Sequence, residues 1–362
     1  MMMRPIRLFT LSVFAITTVL LLSPTTVAES PQPPPTIGAI RWDGWFRDNP
    51  WEKNLAPAQW RYRLPFYATT SNDGVQVCGD TQETVDREIA HAKAGGIAYW
   101  AFCYYHPKSW PQADAYNYGW RRYLASAHKK DINFCFILQG GSHLGPPGEW
   151  SATVDELVSR FKEPTYQRVC GNRPLLYVFA CEKLIPHFGS IQAAGDAFRQ
   201  LREASKKAGL ADPYIAAQIW PSQLHADFLD AVHFDALSAY SAQGSTGEGE
   251  PYSRLVVSNQ WYWAQYKTSG REIIPTVNAG WDGRPRKYTG PWYEDAAPSE
   301  VANAIGQALD WVQANLKTVP ARSVLVYAWN EHDEGGWLCP TLKEGTARLD
   351  AIRNMLNARR PR

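Results

Sequence analysis

TQETVDREIAHAKAGGIAYWAFCYY, residues 81–105, contains one complete copy of the unit from which the chain is built. Val85, Ile89 and Ala92 recur at helical spacing, so Thr81–Ala94 is predicted as an amphipathic helix, with Gly95-Gly96 as its stop. Ile97–Cys103 follows as an unbroken apolar run and reads as a strand buried on both faces. Polar and aromatic groups begin where that run ends, at Tyr104, Tyr105 and His106.

The same alternation extends in both directions. Strands are predicted at Ile37–Trp42, Ile132–Leu138, Pro174–Ala180, Tyr214–Ile219, Phe234–Tyr240, Ile273–Asn278 and Val324–Trp329. Helices are predicted at Trp120–Lys129, Val154–Phe161, Ile191–Ala208, Val256–Ser269 and Pro298–Leu316, the last with Ser299 as its cap. Eight apolar strands alternating with helices call for a parallel sheet covered on both faces. The expected fold class is α/β: a single (β/α)8 TIM barrel over 37–358, with its active site at the C-terminal ends of the strands. A doubly wound open sheet is the alternative. Its nucleotide-binding form is weakened because no G-x-G-x-x-G opens the first helix and no phosphate-loop motif occurs.

Arg4 and Arg7, the apolar run Leu8–Leu22 and the small residues Thr26-Val27-Ala28 read as a cleavable signal peptide over 1–28. The run is short for a membrane span, and a retained anchor is the competing reading. A Pro-rich tether is expected over 29–36. A secreted or periplasmic location follows, without stable membrane insertion after cleavage. Loss of 1–28 removes two Arg and no acid, which leaves equal numbers of basic and acidic side chains. With no Lys/Arg tract either, nucleic acid is not an expected partner.

Six cysteines follow the leader: Cys78, Cys103, Cys135, Cys170, Cys181 and Cys339. Their spacings match no zinc pattern, and the sequence does not choose among their possible pairings. Cys103 and Cys135 lie in apolar runs and read as buried free thiols. No metal or cofactor is expected. Aromatic residues make up 13% of the chain, which either buried aromatics or sugar-stacking faces would explain.

Functional groups collect at the strand ends. They are Asp43 and Trp45 after the first, Tyr105 and His106 after the second, Gln139 at the third, Glu182-Lys183 after the fourth and Trp220 after the fifth. Tyr240 ends the sixth, Asn278 ends the seventh ahead of Trp281, Asp282 and Arg284, and Asn330-Glu331 follow the eighth. Each has a plain alternative: Asp43 and Asp282 as ion-pair partners of Arg41 and Arg284, Glu182-Lys183 as a solvated pair, the rest as ordinary loop residues. The segment Trp329-Asn330-Glu331-His332-Asp333-Glu334-Gly335-Gly336-Trp337 stands out by placing three acids within four residues. Acids this close repel, so at least one is expected to hold its proton unusually tightly, as a general acid needs. Glycoside cleavage uses such a pair of carboxyls, one to protonate the leaving oxygen and one as base or nucleophile. A metal-binding or surface acidic loop is the plain alternative.

From Ile37 to Thr341 the chain resembles glycoside hydrolase family 99 and, more closely, the family 99-like WbsX-type domains. The resemblance rests on Ile37-Gly38-Ala39 with Trp42 and Trp45, Gly95-Gly96-Ile97 leading to Phe102-Cys103-Tyr104-Tyr105, and Asn172-Arg173-Pro174-Leu175-Leu176-Tyr177. It continues through Phe234-Asp235-Ala236-Leu237-Ser238, Gly280-Trp281-Asp282 with Pro285-Arg286, and Trp329–Glu334. It implies a barrel enzyme in which Glu331 draws a proton from a sugar 2-hydroxyl and Glu334 protonates the leaving oxygen. A 1,2-anhydro sugar then forms, and water opens it with net retention. His332, Cys339 and Gln139-Gly140-Gly141 depart from the family pattern, so the identity of the sugar does not transfer. Glycosyl transfer or transglycosylation, and a non-catalytic carbohydrate-binding barrel, are the competing functions. A route with Glu182 as acid and Asp282 as nucleophile is the competing mechanism.

Overall fold

The computed structural model describes residues 34–72 and 74–360. The expected leader lies outside the described residues, as does most of the expected tether. Eight parallel strands run β1 Thr36–Arg41, β2 Tyr99–Tyr104, β3 Asn133–Gln139, β4 Arg173–Phe179, β5 Tyr214–Gln218, β6 Ala236–Ser238, β7 in two pieces and β8 Ser323–Tyr327. The pieces of β7 are Glu272–Ile273, paired with β6, and Thr276–Asn278, paired with β8. Pro275 lies between them and has no N–H to give to a ladder. β1 closes the ring, with Gly38 in register with Tyr99 on one side and Leu325 on the other. This closure excludes the open-sheet alternative.

One main helix follows each strand: α1 Gln82–Gly95, α2 Tyr118–Ala125, α3 Trp150–Phe161, α4 Ile191–Lys207, α5 Ala226–Val232, α6 Tyr252–Thr268, α7 Pro298–Ala314 and α8 Ala347–Ala358, with short helices at Glu52–Leu55 and Leu184–Phe188 in the connecting loops. Thr81 caps α1 through its hydroxyl, and Gly96 ends it in the left-handed region, φ 83°. Continuous burial along β2, β3 and β8 matches their unbroken apolar sequence. Inside the barrel the Tyr99 hydroxyl meets those of Tyr177 and Ser323, each at 2.8 Å. Those three side chains come from alternate strands, as the layered packing of such an interior requires.

Some expectations are corrected. Ser299 is not the cap of α7: the helix starts at Pro298, and the Ala297 N–H donates to Glu300 Oε2 at 2.8 Å. Helix α2 ends at Ala125 rather than Lys129, with a 3₁₀ turn at Lys129–Asp131 behind it. Strand β6 keeps only three residues of the run Phe234–Tyr240. Helices α5 and α8 had no counterpart in the sequence reading. All six cysteines are free, and Cys103, Cys135, Cys181 and Cys339 are buried.

Candidate active site

The segment after β8 is pinned from several sides. The Trp329 N–H donates to Ile40 O at 2.6 Å, and its indole N–H donates to Glu88 Oε1 at 2.9 Å. Leu338 and Cys339 N–H groups return to Trp329 O. A small antiparallel pairing sets Asn330 opposite Trp337 and Glu331 opposite Gly336. Between them His332–Glu334 form one 3₁₀ turn, ended by Gly335 at φ 79°, a conformation that favours glycine. Glu331, Asp333 and Glu334 are thereby held, all buried, at the C-terminal mouth of the barrel.

One cation serves all three. Arg286, on the loop after β7, places Nη2 3.0 Å from Glu331 Oε2 and Nε 2.7 Å from Asp333 Oδ2, and Nη1 donates to Glu334 Oε1. Its guanidinium lies 4.6 Å from the Trp42 ring and 4.9 Å from the Trp51 ring, so aromatic faces help hold it. Asn54 donates a further bond to Asp333 Oδ2 at 2.8 Å. The Tyr240 hydroxyl donates to Glu331 Oε1 at 2.7 Å, and the Tyr327 hydroxyl donates to Glu334 Oε2. Three carboxyls thus face one positive charge. Burial first, and the neighbouring Glu334 second, push Glu331 up to about 8 against the pull of Arg286. The acid of this loop that is pushed up is Glu331, the residue expected to be the base. His332 is buried between Trp45 and Trp337, and burial lowers it to about 3, so its ring is neutral.

Of the expected site residues, Tyr240 bonds to the carboxylate of Glu331, and the Asp282 N–H donates to the Glu334 carbonyl oxygen at 2.7 Å. Asn330 bridges to β1 through its side chain, which donates to Trp42 O at 2.6 Å and accepts from Trp42 N–H at 2.9 Å. Trp45 donates its indole N–H to Asn330 O at 2.8 Å. Both therefore fix the loop. Asp43 is fully buried, with Arg41 Nε at 2.9 Å, and Arg41 also pairs with Glu88. Tyr105 packs among Trp110, Tyr116 and His143. His106 Nδ1 accepts from Lys108 N–H. Gln139 is buried at the end of β3, and Asn278 ties the loop after β6 through Ala242 and Ser241. Asp282 is gripped by Arg63 at 2.6 Å and Arg284 at 2.8 Å. Burial alone would raise it, but these two cations outweigh burial and hold it below the usual carboxylate range. Glu182 is exposed. Trp220, Trp281 and Arg284 line a separate cavity of about 820 Å³. That cavity does not contain Glu331 or Glu334. It lies beside them, and part of its wall is the loop that carries Arg286.

Arg286, Tyr327 and Asn54 went unnoticed as site residues. Charge balance was the signal for the first, since three buried acids require a cation.

The model of the family described as glycosyltransferase WbsX matches residues 117–352. A curated relative, the uncharacterized protein WxcX of Xanthomonas campestris pv. campestris, is 38% identical over 87 residues. That match covers 23% of this chain and 12% of the relative, so the chain spans about an eighth of the curated protein it matches. Among solved structures, a glycoside hydrolase-like protein superposes with a TM-score of 0.61 at 12% identity, over 90% of this chain and 97% of that one. The GH99 endo-alpha-mannosidase from Bacteroides thetaiotaomicron superposes with a TM-score of 0.56 at 12% identity, over 89% and 96%. At these identities the likeness is one of fold.

Proposed function

The chain belongs to the WbsX family, described as glycosyltransferases, and from that premise we propose that it is a glycan-acting enzyme that hydrolyses a glycosidic bond. One observation carries the reading. Glu331 and Glu334 share a single guanidinium at the barrel mouth, and Glu331 is pushed up to about 8. At neutral pH the pair therefore keeps a proton that one of its members can donate.

In the proposed reaction the proton passes from Glu331 to Glu334 as substrate binds, and the ionised Glu331 then takes the proton of a sugar 2-hydroxyl while O2 attacks C1. The glycosidic bond breaks, and Glu334 gives its proton to the departing oxygen. Water then opens the 1,2-anhydro ring with net retention, and no bond to the protein forms. Arg286 offsets the charge the carboxylates carry through these steps, and Tyr240 orients Glu331. The ion pairs of Asp282 and the exposure of Glu182 argue against a nucleophile–acid route through those two.

Glycosyl transfer by the same pair is the second reading, favoured by the family's description. We rank it below hydrolysis because Arg4, Arg7 and the apolar run Leu8–Leu22 argue for export, away from nucleotide sugars. The test is a panel of glycosides and glycans with wild type and Glu334→Gln. Turnover by wild type, with binding kept and turnover lost in the variant, supports the enzyme. Absence of cleavage across the panel refutes hydrolysis, and growth of an added acceptor instead favours transfer.

A further inference from the structure

Six large hydrophobic side chains are exposed among the described residues: Ile191, Trp220, Val257, Trp261, Tyr288 and Leu342. Four of them, Trp220, Val257, Trp261 and Tyr288, line the 820 Å³ cavity beside the acid pair. Single exposed hydrophobics need no explanation, but their gathering in one concavity marks a binding surface. Val257 and Trp261 stand one turn apart on α6. The core needs neither, because Leu255, Trp263 and Tyr266 already bury the other face of that helix.

The cavity wall is built in advance. The Gly244 N–H donates to the Tyr293 hydroxyl at 2.9 Å, the Tyr262 hydroxyl to Gln243 O at 3.2 Å, and the Trp281 indole N–H to Pro291 O at 3.0 Å. A preformed wall lowers the ordering cost of binding. Its charges are largely matched. Arg284 is paired with Asp282 and stacked 3.3 Å from the Trp292 ring centre, and Glu250 faces the same cavity as Arg254. Aromatic faces, hydroxyls and amides with little net charge suit an uncharged sugar, whose C–H face stacks and whose hydroxyls bond. A uronate or sulfated chain would require an unpaired cationic surface.

The wall is also continuous with the acid site. Trp281 packs on Tyr327 with ring centres 5.6 Å apart, and the Tyr327 hydroxyl donates to Glu334. Tyr288 belongs to the loop of Arg286 and feels the charges of Glu334 and Arg286.

We propose that this cavity between the β6 and β7 loops and α6 is a binding site for further, uncharged sugar units of the substrate, so that the chain acts on an oligosaccharide or polysaccharide rather than a disaccharide. This rests on the glycan-acting reading given above.

The experiment measures binding by calorimetry, apart from turnover. The probes are neutral gluco-, manno- and galacto-oligosaccharides graded in length from the disaccharide, with sulfated and uronate-containing chains alongside. Wild type is expected to bind longer neutral chains more tightly than the disaccharide. Trp261→Ala is expected to lose about tenfold for the longer chains and nothing for the disaccharide, and Trp261→Phe to recover most of the loss. Unchanged melting of the variants shows that the fold is intact. Equal affinity at all lengths, equal loss at all lengths, no loss in Trp261→Ala, or preference for the charged chains would each overturn the proposal. Length-dependent binding without any cleavage would leave the cavity standing and refute hydrolysis. Cleavage indifferent to Trp261 would do the reverse.

Discussion

Arg286 and Glu331, 45 residues apart in sequence, meet at 3.0 Å across the mouth of the barrel, and the same guanidinium reaches Asp333 and Glu334. Three acids on a loop after β8 are thus governed by one side chain on the loop after β7.

Catalysis by the Glu331–Glu334 pair requires its single proton. Below about pH 8 Glu331 holds that proton and can pass it to Glu334, and above that pH the pair loses it. The alkaline limb of kcat/KM is therefore expected near pH 8. Tyr240 donates to Glu331 and favours its ionised form, so Tyr240→Phe should move that limb to higher pH. A pH–rate series on both proteins checks this, and a limb that stays put or moves down contradicts it.

The same proton links pH to stability. Glu331 binds it more tightly folded than its ordinary value of 4.5, so this contribution is full below pH 4.5 and lost as pH rises through about 8. Glu331→Gln cannot ionise. Its melting temperature should fall less steeply between pH 5 and 9 than that of wild type, by about 1–3 °C over the window. Parallel curves for the two proteins would remove Glu331 as the source.

Removing the shared cation strands three buried acids. Arg286→Met is expected to cost about 3–5 kcal/mol in chemical denaturation at pH 7. Part of that should return at acid pH, as the carboxyls take up protons in place of the guanidinium. Arg286→Lys should recover little, since an ammonium lacks the planar fork that serves three partners. A cost below about 1 kcal/mol for Arg286→Met would show that the cluster relaxes into solvent.

The thiols offer a direct check of the fold. Six are free, and only Cys78 and Cys170 are partly exposed. A thiol reagent should modify at most those two in the native protein and all six after denaturation. A lower count after denaturation under non-reducing conditions would reveal disulfides.

The barrel was legible because its strands are buried on both faces and therefore read as unbroken apolar runs, as Ile97–Cys103 does. Helix α5 was not, because seven residues give too little periodicity. Helix α8 carries an apolar face of Leu349, Ile352, Met355 and Leu356, but Arg348, buried near its start, interrupts the pattern. Ser299 looked like a cap by residue type, yet Pro298 fits the first helical position and moves the start ahead of it. In the site, Glu331, Asp333 and Glu334 declared themselves by crowding. Arg286 entered only through the Pro285-Arg286 resemblance, because a lone Arg in a loop carries no local signature of its role, which the charge demand of a distant segment supplies. Trp45, Asn330 and Asp43 were rightly placed at strand ends, yet their polar groups are occupied in holding the β1 and β8 loops.

The break in β7 has a mechanical consequence. Every other strand is stitched to both neighbours along its own length, whereas here one half leans on β6 and the other half on β8, with Pro275 as the hinge between them. The hoop is least reinforced along this line. It is also where the loops bearing Arg286, Trp281 and Tyr288 are rooted. If the cylinder widens under thermal agitation, it parts there first. The guanidinium and Trp281 follow the half paired with β8, so they would move with the carboxyls as one panel, away from the β6 side.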